Sequence, residues 1–222
     1  MSLKTVVLLF TIFMVATVLS CKNKACLNKR YPMPEDVPVP LKHHLSHKER
    51  VLHETKMQEL IDYTKAKNAW FGSSIVHKNG TTVCYGVNES HQYNDPTLHG
   101  EMVVMHNCSK LFGITNYSNY TLYTTGESCP MCQSAAMWNK FSTIVYATSI
   151  ETMYCDKCLG QILIDSNFLA AFGNGLQNGY VPPVIIGGIL EDVTNREIFP
   201  DACDPNYELA WKVTPNCTKK HH

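Results

Sequence analysis

Three residues with metal-binding side chains and one acidic residue stand in two short motifs. The first motif is His99-Gly100-Glu101, and the second, after 27 intervening residues, is Cys129-Pro130-Met131-Cys132. Zinc prefers imidazole nitrogen and thiolate sulfur, and a catalytic zinc ion with three protein ligands keeps its fourth position for water. A carboxylate beside that water can take its proton and pass it on. The spacing therefore predicts a catalytic Zn²⁺ centre held by His99, Cys129 and Cys132, with Glu101 as the proton-transfer group.

Two other interpretations of these motifs stay open. A structural zinc site needs a fourth protein ligand, for which Cys108 or a more distant cysteine is a candidate. A redox-active pair formed by Cys129 and Cys132 is the second alternative. Neither explains why the carboxylate of Glu101 stands two residues from His99, so we favour the catalytic centre.

Periodicity and turn signals place these motifs among alternating helices and strands. A capping-box pattern at Ser46 and Glu49 predicts a helix that runs to about Lys67. Asn79-Gly80 marks a tight turn between strands at 72–77 and 81–87, and a polar loop follows. Downstream, the pattern predicts helices at 98–112, 129–138 and 208–211, strands at 120–125, 143–148 and 183–190, and a glycine-rich segment at 173–179. This order, with crossover helices, predicts an α/β sandwich around a mixed sheet.

Both motifs fall at the starts of predicted helices. His99 and Glu101 lie in the first turn of one helix, and Cys129 and Cys132 are three residues apart at the start of the next. Residues at this spacing point from the same helix face. The partial positive charge of a helix N-terminus also favours thiolate over thiol, which suits a metal ligand.

The N-terminal segment predicts export from the cytoplasm. Lys4 precedes an apolar stretch from Val6 to Leu19, and small residues allow cleavage before Cys21, so residues 1–20 have the pattern of a signal peptide. The stretch is too short for a comfortable membrane span. A short membrane anchor and a lipid-attached Cys21 are the alternatives. We expect the protein outside the cell or in the lumen of the secretory pathway, with no membrane span in the mature chain.

Length and charge limit the remaining possibilities. After residues 1–20, residues 21–45 form a proline-rich arm, and residues 46–222 suit one domain. The chain holds 19 Lys and Arg residues and 19 Asp and Glu residues. A neutral chain has no overall attraction to phosphate backbones, so nucleic acid is not the expected partner.

The cysteines and glycosylation sequons fit an oxidising compartment. Ten cysteines are present, and those outside the second motif are enough for up to four disulfides. Connectivity does not follow from sequence, and the pairs to test first are Cys203 with Cys217 and Cys155 with Cys158. Asn-x-Ser/Thr sequons begin at Asn79, Asn88, Asn107, Asn116, Asn119 and Asn216.

The two motifs resemble a known enzyme family. Residues 94–102, NDPTLHGEM, and residues 123–132, YTTGESCPMC, are similar to the N-D-P-T-x-H-A-E-x and Y-x-S/T-x-E-P-C-P/V-M-C segments of bacterial guanine deaminases and tRNA adenosine deaminases. The similarity covers about residues 46–165, and the extension at 166–222 resembles that of secreted deaminase-like microbial proteins. The resemblance implies the cytidine deaminase fold, a three-layer α/β/α sandwich with a five-stranded mixed sheet, and a homodimer.

Three departures from the family pattern bear on the chemistry. Gly100 replaces the usual alanine, and Ser128 replaces the usual proline before the first cysteine. Serine suits the start of a helix, where it can cap, so zinc binding should survive. Guanine deaminases carry an acidic pair after the fourth strand that is implicated in recognising the base, whereas residues 154–160 here are YCDKCLG. The substrate is therefore open.

Two residues are expected to contact a substrate. Asn88 follows the second strand and corresponds by position to an asparagine that contacts substrate in the resembled family. It also begins a sequon, and a glycan there would block the pocket, so the two roles compete. Trp138 lies two helical turns beyond Cys132 and is the second candidate, with packing in the core as its alternative.

The motifs, resemblance and N-terminal pattern together predict a secreted, zinc-dependent hydrolytic deaminase of a purine base or nucleoside. Its expected partners are that small molecule and a second copy of the chain. A tRNA-type adenosine deaminase and a cytosine- or cytidine-type deaminase are alternatives, because the same motif serves them. A non-catalytic secreted zinc-binding module is the last alternative, and the presence of Glu101 argues against it.

Overall fold

A computed structural model of the chain describes residues 44–174 and 181–217. The predicted signal peptide, nearly all of the proline-rich arm and much of the predicted glycine-rich segment lie outside these residues. Within them, no helix has both the length and the apolar character that crossing a membrane requires.

The described chain alternates helices and strands. The helices are α1 (His47–Ala66), α2 (Ser90–Tyr93), α3 (Gly100–Phe112), α4 (Pro130–Trp138), α5 (Ile150–Cys155), α6 (Ser166–Asn174) and α7 (Glu191–Glu197). The strands are β1 (Gly72–His77), β2 (Thr82–Val87), β3 (Tyr120–Gly126), β4 (Thr143–Thr148) and β5 (Val184–Ile186). The capping box at the start of α1 forms as predicted, because Ser46 and Glu49 each bond the other's backbone N–H.

The five strands form one mixed sheet in the order β2-β1-β3-β4-β5. β1 pairs antiparallel with β2 and β3, and β3, β4 and β5 run parallel to one another. Parallel neighbours need crossover connections, which α4 and α6 supply. The predicted α/β fold with a five-stranded mixed sheet is confirmed.

Alternate strand residues build two cores on opposite faces of the sheet, because successive side chains in a strand point to opposite sides. On one face Val76, Tyr123 and Val145 join one cluster with Met57 and Leu60 of α1. On the other face a second cluster combines α3 and α4 with strand residues, namely Ile75, Leu122, Ile144, Val104 and Ala136. The layers are therefore α/β/α.

The ends of the strands lie along two opposite sides of the sheet, which we call its edges. At one edge, which we call the metal edge, lie Gly72, Val87, Gly126 and Thr148. At the opposite edge, the turn edge, lie His77, Thr82, Tyr120 and Thr143. α3 and α4 both begin at the metal edge, because α4 follows β3 directly and Gly100, the first residue of α3, lies against Phe71, which precedes β1.

Three disulfides join cysteines of the described residues: Cys84 with Cys108, Cys155 with Cys217, and Cys158 with Cys203. The predicted pairs Cys203–Cys217 and Cys155–Cys158 are wrong. Cys155 and Cys158, which follow β4, are instead bonded to cysteines of the C-terminal segment. That segment is distant from them in sequence but close to them in the fold. The first disulfide links β2 to α3, the helix that begins at His99.

The C-terminal segment differs from the predicted pattern. Residues 208–211 were expected to be helical, but 208 and 209 are irregular, 210 and 211 form a turn, and the helix near the C-terminus is α7 instead. β5 is shorter than the predicted strand at 183–190. The segment is held by an isolated bridge between Leu159 and Lys212 and by the packing of Trp211 against Trp70. Tertiary contacts therefore decide its conformation.

Candidate metal centre

His99 and Glu101 occupy the first turn of α3. His99 is the N-cap residue, and its side chain makes no capping hydrogen bond, so the imidazole is available to a metal. The backbone of His99 is extended, with φ −67° and ψ 157°, which turns the chain from the loop into the helix. This geometry places both side chains at the metal edge.

Cys129 and Cys132 occupy the start of α4. Cys129 is the N-cap residue, Pro130 takes the first helical position, and Cys132 is fully buried one turn later. Proline suits this position because the first N–H of a helix has no intrahelical partner. The predicted spacing on one face is confirmed, since both sulfur atoms lie beside the same imidazole nitrogen.

The three ligand atoms fit a tetrahedral zinc ion. His99 Nδ1 lies 3.5 Å from Cys129 Sγ and 3.6 Å from Cys132 Sγ, and all three atoms lie within 4.8 Å of one another. Zn–S bonds of about 2.3 Å and Zn–N bonds of about 2.0 Å at tetrahedral angles separate nitrogen from sulfur by about 3.5 Å. The donor set and its spacing therefore suit zinc with a fourth position open.

The two thiols share one negative charge. A hydrogen bond from Cys132 and, after it, the imidazole of His99 stabilise the Cys129 thiolate and lower its pKa to about 4. The bond to Cys129, together with burial, raises the pKa of Cys132, so this residue keeps its proton at neutral pH. Binding of a divalent cation must displace that proton.

Glu101 is a buried carboxyl beside these ligands. Its side chain is only 5% exposed, and Thr124 Oγ1 lies 3.4 Å from Glu101 Oε1. Burial, followed by the nearby charge of Cys129, raises the pKa of Glu101. A carboxyl whose pKa moves toward neutrality is suited to accept and return a proton during one reaction cycle.

Two glycines allow α3 to approach the sheet closely. A Cβ atom on Gly100 would lie 2.9 Å from the carbonyl oxygen of Phe71. A Cβ atom on Gly86 would lie 2.9 Å from the backbone nitrogen of Val104. Backbone atoms in these positions yield only if the helix moves. The glycine that departs from the family pattern is therefore accounted for by a tight contact at the start of α3.

Glu127 is a buried residue that sequence reasoning missed. Its carboxylate accepts hydrogen bonds from the backbone N–H of Ile150 at 2.9 Å and of Ser166 at 2.9 Å, and from Ser166 Oγ at 2.6 Å. It thus joins the segment before Cys129 to the starts of α5 and α6. The signal in the sequence was its match to the glutamate of the resembled Y-x-S/T-x-E-P-C segment, two positions before the first cysteine.

Two buried polar side chains near the cysteines lack hydrogen-bond partners among the described residues. Ser128 is 1% exposed, and the N-cap of α4 is Cys129, so the expected capping role of Ser128 is wrong. Gln133 follows Cys132 and is fully buried, and neither end of its amide is bonded. Neither residue is a metal ligand in this arrangement.

The two predicted substrate residues lie in different places. Asn88 directly follows Val87 at the metal edge, and its backbone N–H bonds the carbonyl oxygen of Phe71. Its Oδ1 accepts bonds from the backbone and side chain of Ser90, at 2.9 Å and 2.6 Å. Trp138 ends α4 and is 88% exposed, so core packing is wrong, and the structure does not bring it to the cysteines at the other end of the helix.

The fourth-ligand alternative loses its named candidate. Cys108 is bonded to Cys84, and among the described residues Cys129 and Cys132 are the cysteines without a disulfide. His99, Cys129 and Cys132 form the one group of metal-binding side chains found in the described ranges.

Comparison with known proteins agrees with this arrangement. The sequence model of the "Cytidine and deoxycytidylate deaminase zinc-binding region" matches residues 46–148, which contain all four residues of the centre. Over residues 46–148 the chain is similar to the cytidine deaminase-like superfamily. A solved guanine deaminase from Nitrosomonas europaea shares the fold of this chain, with a TM-score of 0.51 at 14% identity over 75% of this chain and 96% of that one.

The curated relatives of this chain carry different activities in their names. The Bacillus subtilis (strain 168) guanine deaminase is 30% identical over 99 residues, covering 43% of this chain and 64% of that protein. The Candida albicans cytosine deaminase is 34% identical over 88 residues, covering 40% and 58%. The chloroplastic tRNA(adenine(34)) deaminase of Arabidopsis thaliana is 31% identical over 134 residues, covering 59% of this chain and only 10% of that protein. The chain thus spans less than two thirds of each.

Proposed function

We propose that this protein is a secreted, zinc-dependent hydrolytic deaminase of a purine base or nucleoside. The observation that carries the proposal is the buried carboxyl of Glu101 beside three ligand atoms with tetrahedral spacing. A structural zinc site does not require such a carboxyl, and burying one costs free energy because the carboxyl loses its hydration. The match of residues 46–148 to the deaminase zinc-binding region supports the reaction class.

The residues of the centre have two roles, metal binding and proton transfer. His99, Cys129 and Cys132 would hold zinc, which when bound lowers the pKa of water in its open position to about 7. Glu101 takes the proton that the attacking water loses as its oxygen adds to the amino-bearing carbon of the ring. Glu101 then delivers a proton to the adjacent ring nitrogen. The proton of the added hydroxyl group then passes to the amino group, and ammonia leaves as the carbon–nitrogen bond breaks and the carbon–oxygen double bond forms.

Packing around Glu101 supports this role. The close approach of Gly100 to Phe71 and of Gly86 to Val104 fixes the start of α3 against the sheet. Glu127 fixes the segment that carries the first cysteine. Both motifs are therefore preorganised on rigid elements, which is the condition for proton transfer at short range.

Phe71 links Asn88 to the start of α3. Phe71 precedes β1, and its ring packs on Phe199 at 5.2 Å and Trp211 at 6.3 Å between centroids. The carbonyl oxygen of Phe71 contacts both Asn88 and the start of α3. We propose that Asn88 donates a hydrogen bond from its amide nitrogen to a planar base, because its oxygen is already engaged by Ser90.

Secretion is supported by the disulfides and by the N-terminal pattern. Disulfides persist in oxidising compartments and are rare in the cytosol. We also propose a homodimer, which light scattering coupled to size-exclusion chromatography tests by giving twice the mass of the secreted chain. A monomer under dilute and concentrated conditions would contradict the dimer and leave the proposed reaction untouched.

A substrate panel tests the proposed activity. The zinc-loaded protein is incubated with guanine, adenine, guanosine, adenosine, cytosine and cytidine, and products are identified by mass and by ammonia release. We expect turnover of at least one purine. Absence of turnover on all six, with zinc bound, would refute the deaminase, and turnover of cytosine or cytidine alone would refute the purine assignment.

A tRNA-type adenosine deaminase is the second candidate. Among the three curated relatives compared above, the Arabidopsis tRNA(adenine(34)) deaminase matches the longest stretch of this chain. The balance of 19 basic and 19 acidic residues opposes it, because RNA binding needs a positive surface. Affinity for tRNA that falls steeply with salt, together with conversion of adenosine to inosine in that tRNA, would favour this candidate.

A further inference from the structure

Five of the six glycosylation sequons lie on α3 or in loops that adjoin the sheet, and the sixth, Asn216, lies in the C-terminal segment. Asn79 lies in the turn between β1 and β2, and two further sequon asparagines precede β3, so all three lie at the turn edge. A fourth lies on α3, seven residues and about 10 Å along the helix from its start. We call these four the turn-edge sequons: Asn79, Asn107, Asn116 and Asn119. Asn88 instead lies at the metal edge.

The turn-edge sequons present accessible amides. All four asparagines are exposed, and no side-chain amide nitrogen among them makes a hydrogen bond within the described residues. At Asn79 the side-chain oxygen accepts a bond from the backbone N–H of Thr81, and at Asn116 from that of Ser118, both at 3.0 Å. These bonds engage the side-chain oxygen, so the side-chain amide nitrogen of Asn79 and of Asn116 remains available for modification. A sugar attached there breaks no contact of the folded chain.

Asn79, Asn116 and Asn119 are far from the proposed reaction. The backbone N–H of Lys78 bonds the carbonyl oxygen of Asn119 at 2.8 Å, which holds the β1–β2 turn beside the chain entering β3. β3 rises about 3.3 Å per residue, so its length separates this turn from the metal edge by about 20 Å. Large polar groups on the turn edge therefore leave the metal centre open.

Asn88 is placed in the opposite way. It is half-buried, and its backbone N–H bonds the carbonyl oxygen of Phe71. Its Oδ1 accepts the backbone N–H of Ser90, the same bond that Asn79 and Asn116 make, so its position and not this bond distinguishes it. Phe71 in turn contacts the start of α3, where the metal ligand His99 lies. A glycan on Asn88 would stand at the entrance to the centre.

We propose that the secreted chain carries N-linked glycans on its turn-edge sequons and none on Asn88. The proposal rests on the proposed secretion, which the disulfides support independently. The co-reactant is a lipid-linked oligosaccharide pyrophosphate. The asparagine amide nitrogen bonds to the anomeric carbon of the first sugar, the bond from that carbon to the pyrophosphate oxygen breaks, the lipid pyrophosphate leaves, and the nitrogen gives up one proton.

Site mapping tests the proposal directly. The full chain, with its own N-terminal segment, is expressed in a eukaryotic secretory host, and the protein in the medium is treated with a glycan-removing amidase in heavy-oxygen water. Each formerly modified asparagine then becomes a labelled aspartate that peptide mass spectrometry locates. We expect label at turn-edge sequons and none at Asn88. Label at Asn88, or unlabelled peptides covering all four turn-edge sequons, would overturn the proposal, as would a chain retained in the cytosol without sugar.

Matched variants at one site make the result independent of expression level. Thr81→Ala removes the Asn79 sequon, whereas Thr81→Ser keeps it, and both leave the backbone bonds of the turn in place. We expect only Thr81→Ala to gain electrophoretic mobility by one glycan. Equal mobility of both variants and the parent would contradict modification at Asn79. Ammonia release by the same preparations reports on the deaminase proposal separately.

Discussion

Replacing Gly100 with alanine should disturb the metal centre, although the resembled deaminases carry alanine at this position. The added Cβ atom would lie 2.9 Å from the carbonyl oxygen of Phe71, about 0.5 Å inside ordinary contact at 3.4 Å. Because Phe71 is held through its backbone bond to Asn88, the start of α3 must move instead. His99, the residue before Gly100, moves with it.

The expected loss follows from two opposing effects. Overpacking of this kind costs about 1–3 kcal/mol, and the gain in helix propensity from glycine to alanine returns about 1 kcal/mol. A net loss of about 1 kcal/mol lowers the melting temperature by about 2–4 °C for a domain of this size. Displacing a ligand by a few tenths of an ångström should also weaken zinc binding by about tenfold.

Thermal unfolding and competition with a coloured zinc chelator measure the two effects in the disulfide-bonded protein. Lys110→Ala, an exposed substitution on the same helix, is the matched control and should leave both values unchanged. If Gly100→Ala bound zinc as tightly as the parent and melted at the same or a higher temperature, the tight contact would not position His99, and our explanation of this glycine would fail.

Three further predictions concern the support of the centre. Glu127→Gln should lower the free energy of unfolding by about 2–3 kcal/mol, because an amide nitrogen would face N–H donors; unchanged denaturant unfolding would contradict the role of Glu127. Removing the Cys84–Cys108 disulfide by paired alanine substitutions should lower the free energy of unfolding by about 3.5 kcal/mol, since the disulfide closes a loop with a sequence separation of 24. A decrease below about 1 kcal/mol would show that packing alone holds α3. Zinc binding to the metal-free protein should release protons, because the raised pKa of Cys132 keeps its thiol protonated. Apparent zinc affinity should therefore rise with pH, by about tenfold per pH unit for each proton released, and calorimetry in buffers of different ionisation enthalpy that detected no proton release would contradict this assignment.

The sequence predicted those features that depend on local patterns. The capping box at Ser46 and Glu49 and the placement of both motifs at helix starts follow from the identity and spacing of neighbouring residues. Alternation of apolar residues placed the first four strands within a residue or so of their observed bounds. The metal ligands could be predicted from sequence because the start of a helix is enough to orient the side chains of each motif.

Features that depend on distant contacts were not accessible from sequence. Cys155 and Cys158 pair with the C-terminal segment because tertiary packing brings it there, and sequence distance gave the opposite expectation. Glu127 reaches Ile150 and Ser166, which are 23 and 39 residues away. Residues 208–211 are too short a segment to hold a helix without support, and the packing of Trp211 decides their conformation.

The most direct test of the central claim is ammonia release by Glu101→Gln measured together with its zinc content. We predict that the variant retains one zinc per chain, because His99, Cys129 and Cys132 remain, and that turnover of whichever substrate the parent accepts falls by at least about 10²–10⁴-fold. Retained turnover with zinc bound would show that Glu101 does not carry the proton. Loss of zinc would make Glu101 a ligand or a support of the ligands, and either result would contradict the assignment of roles in this centre.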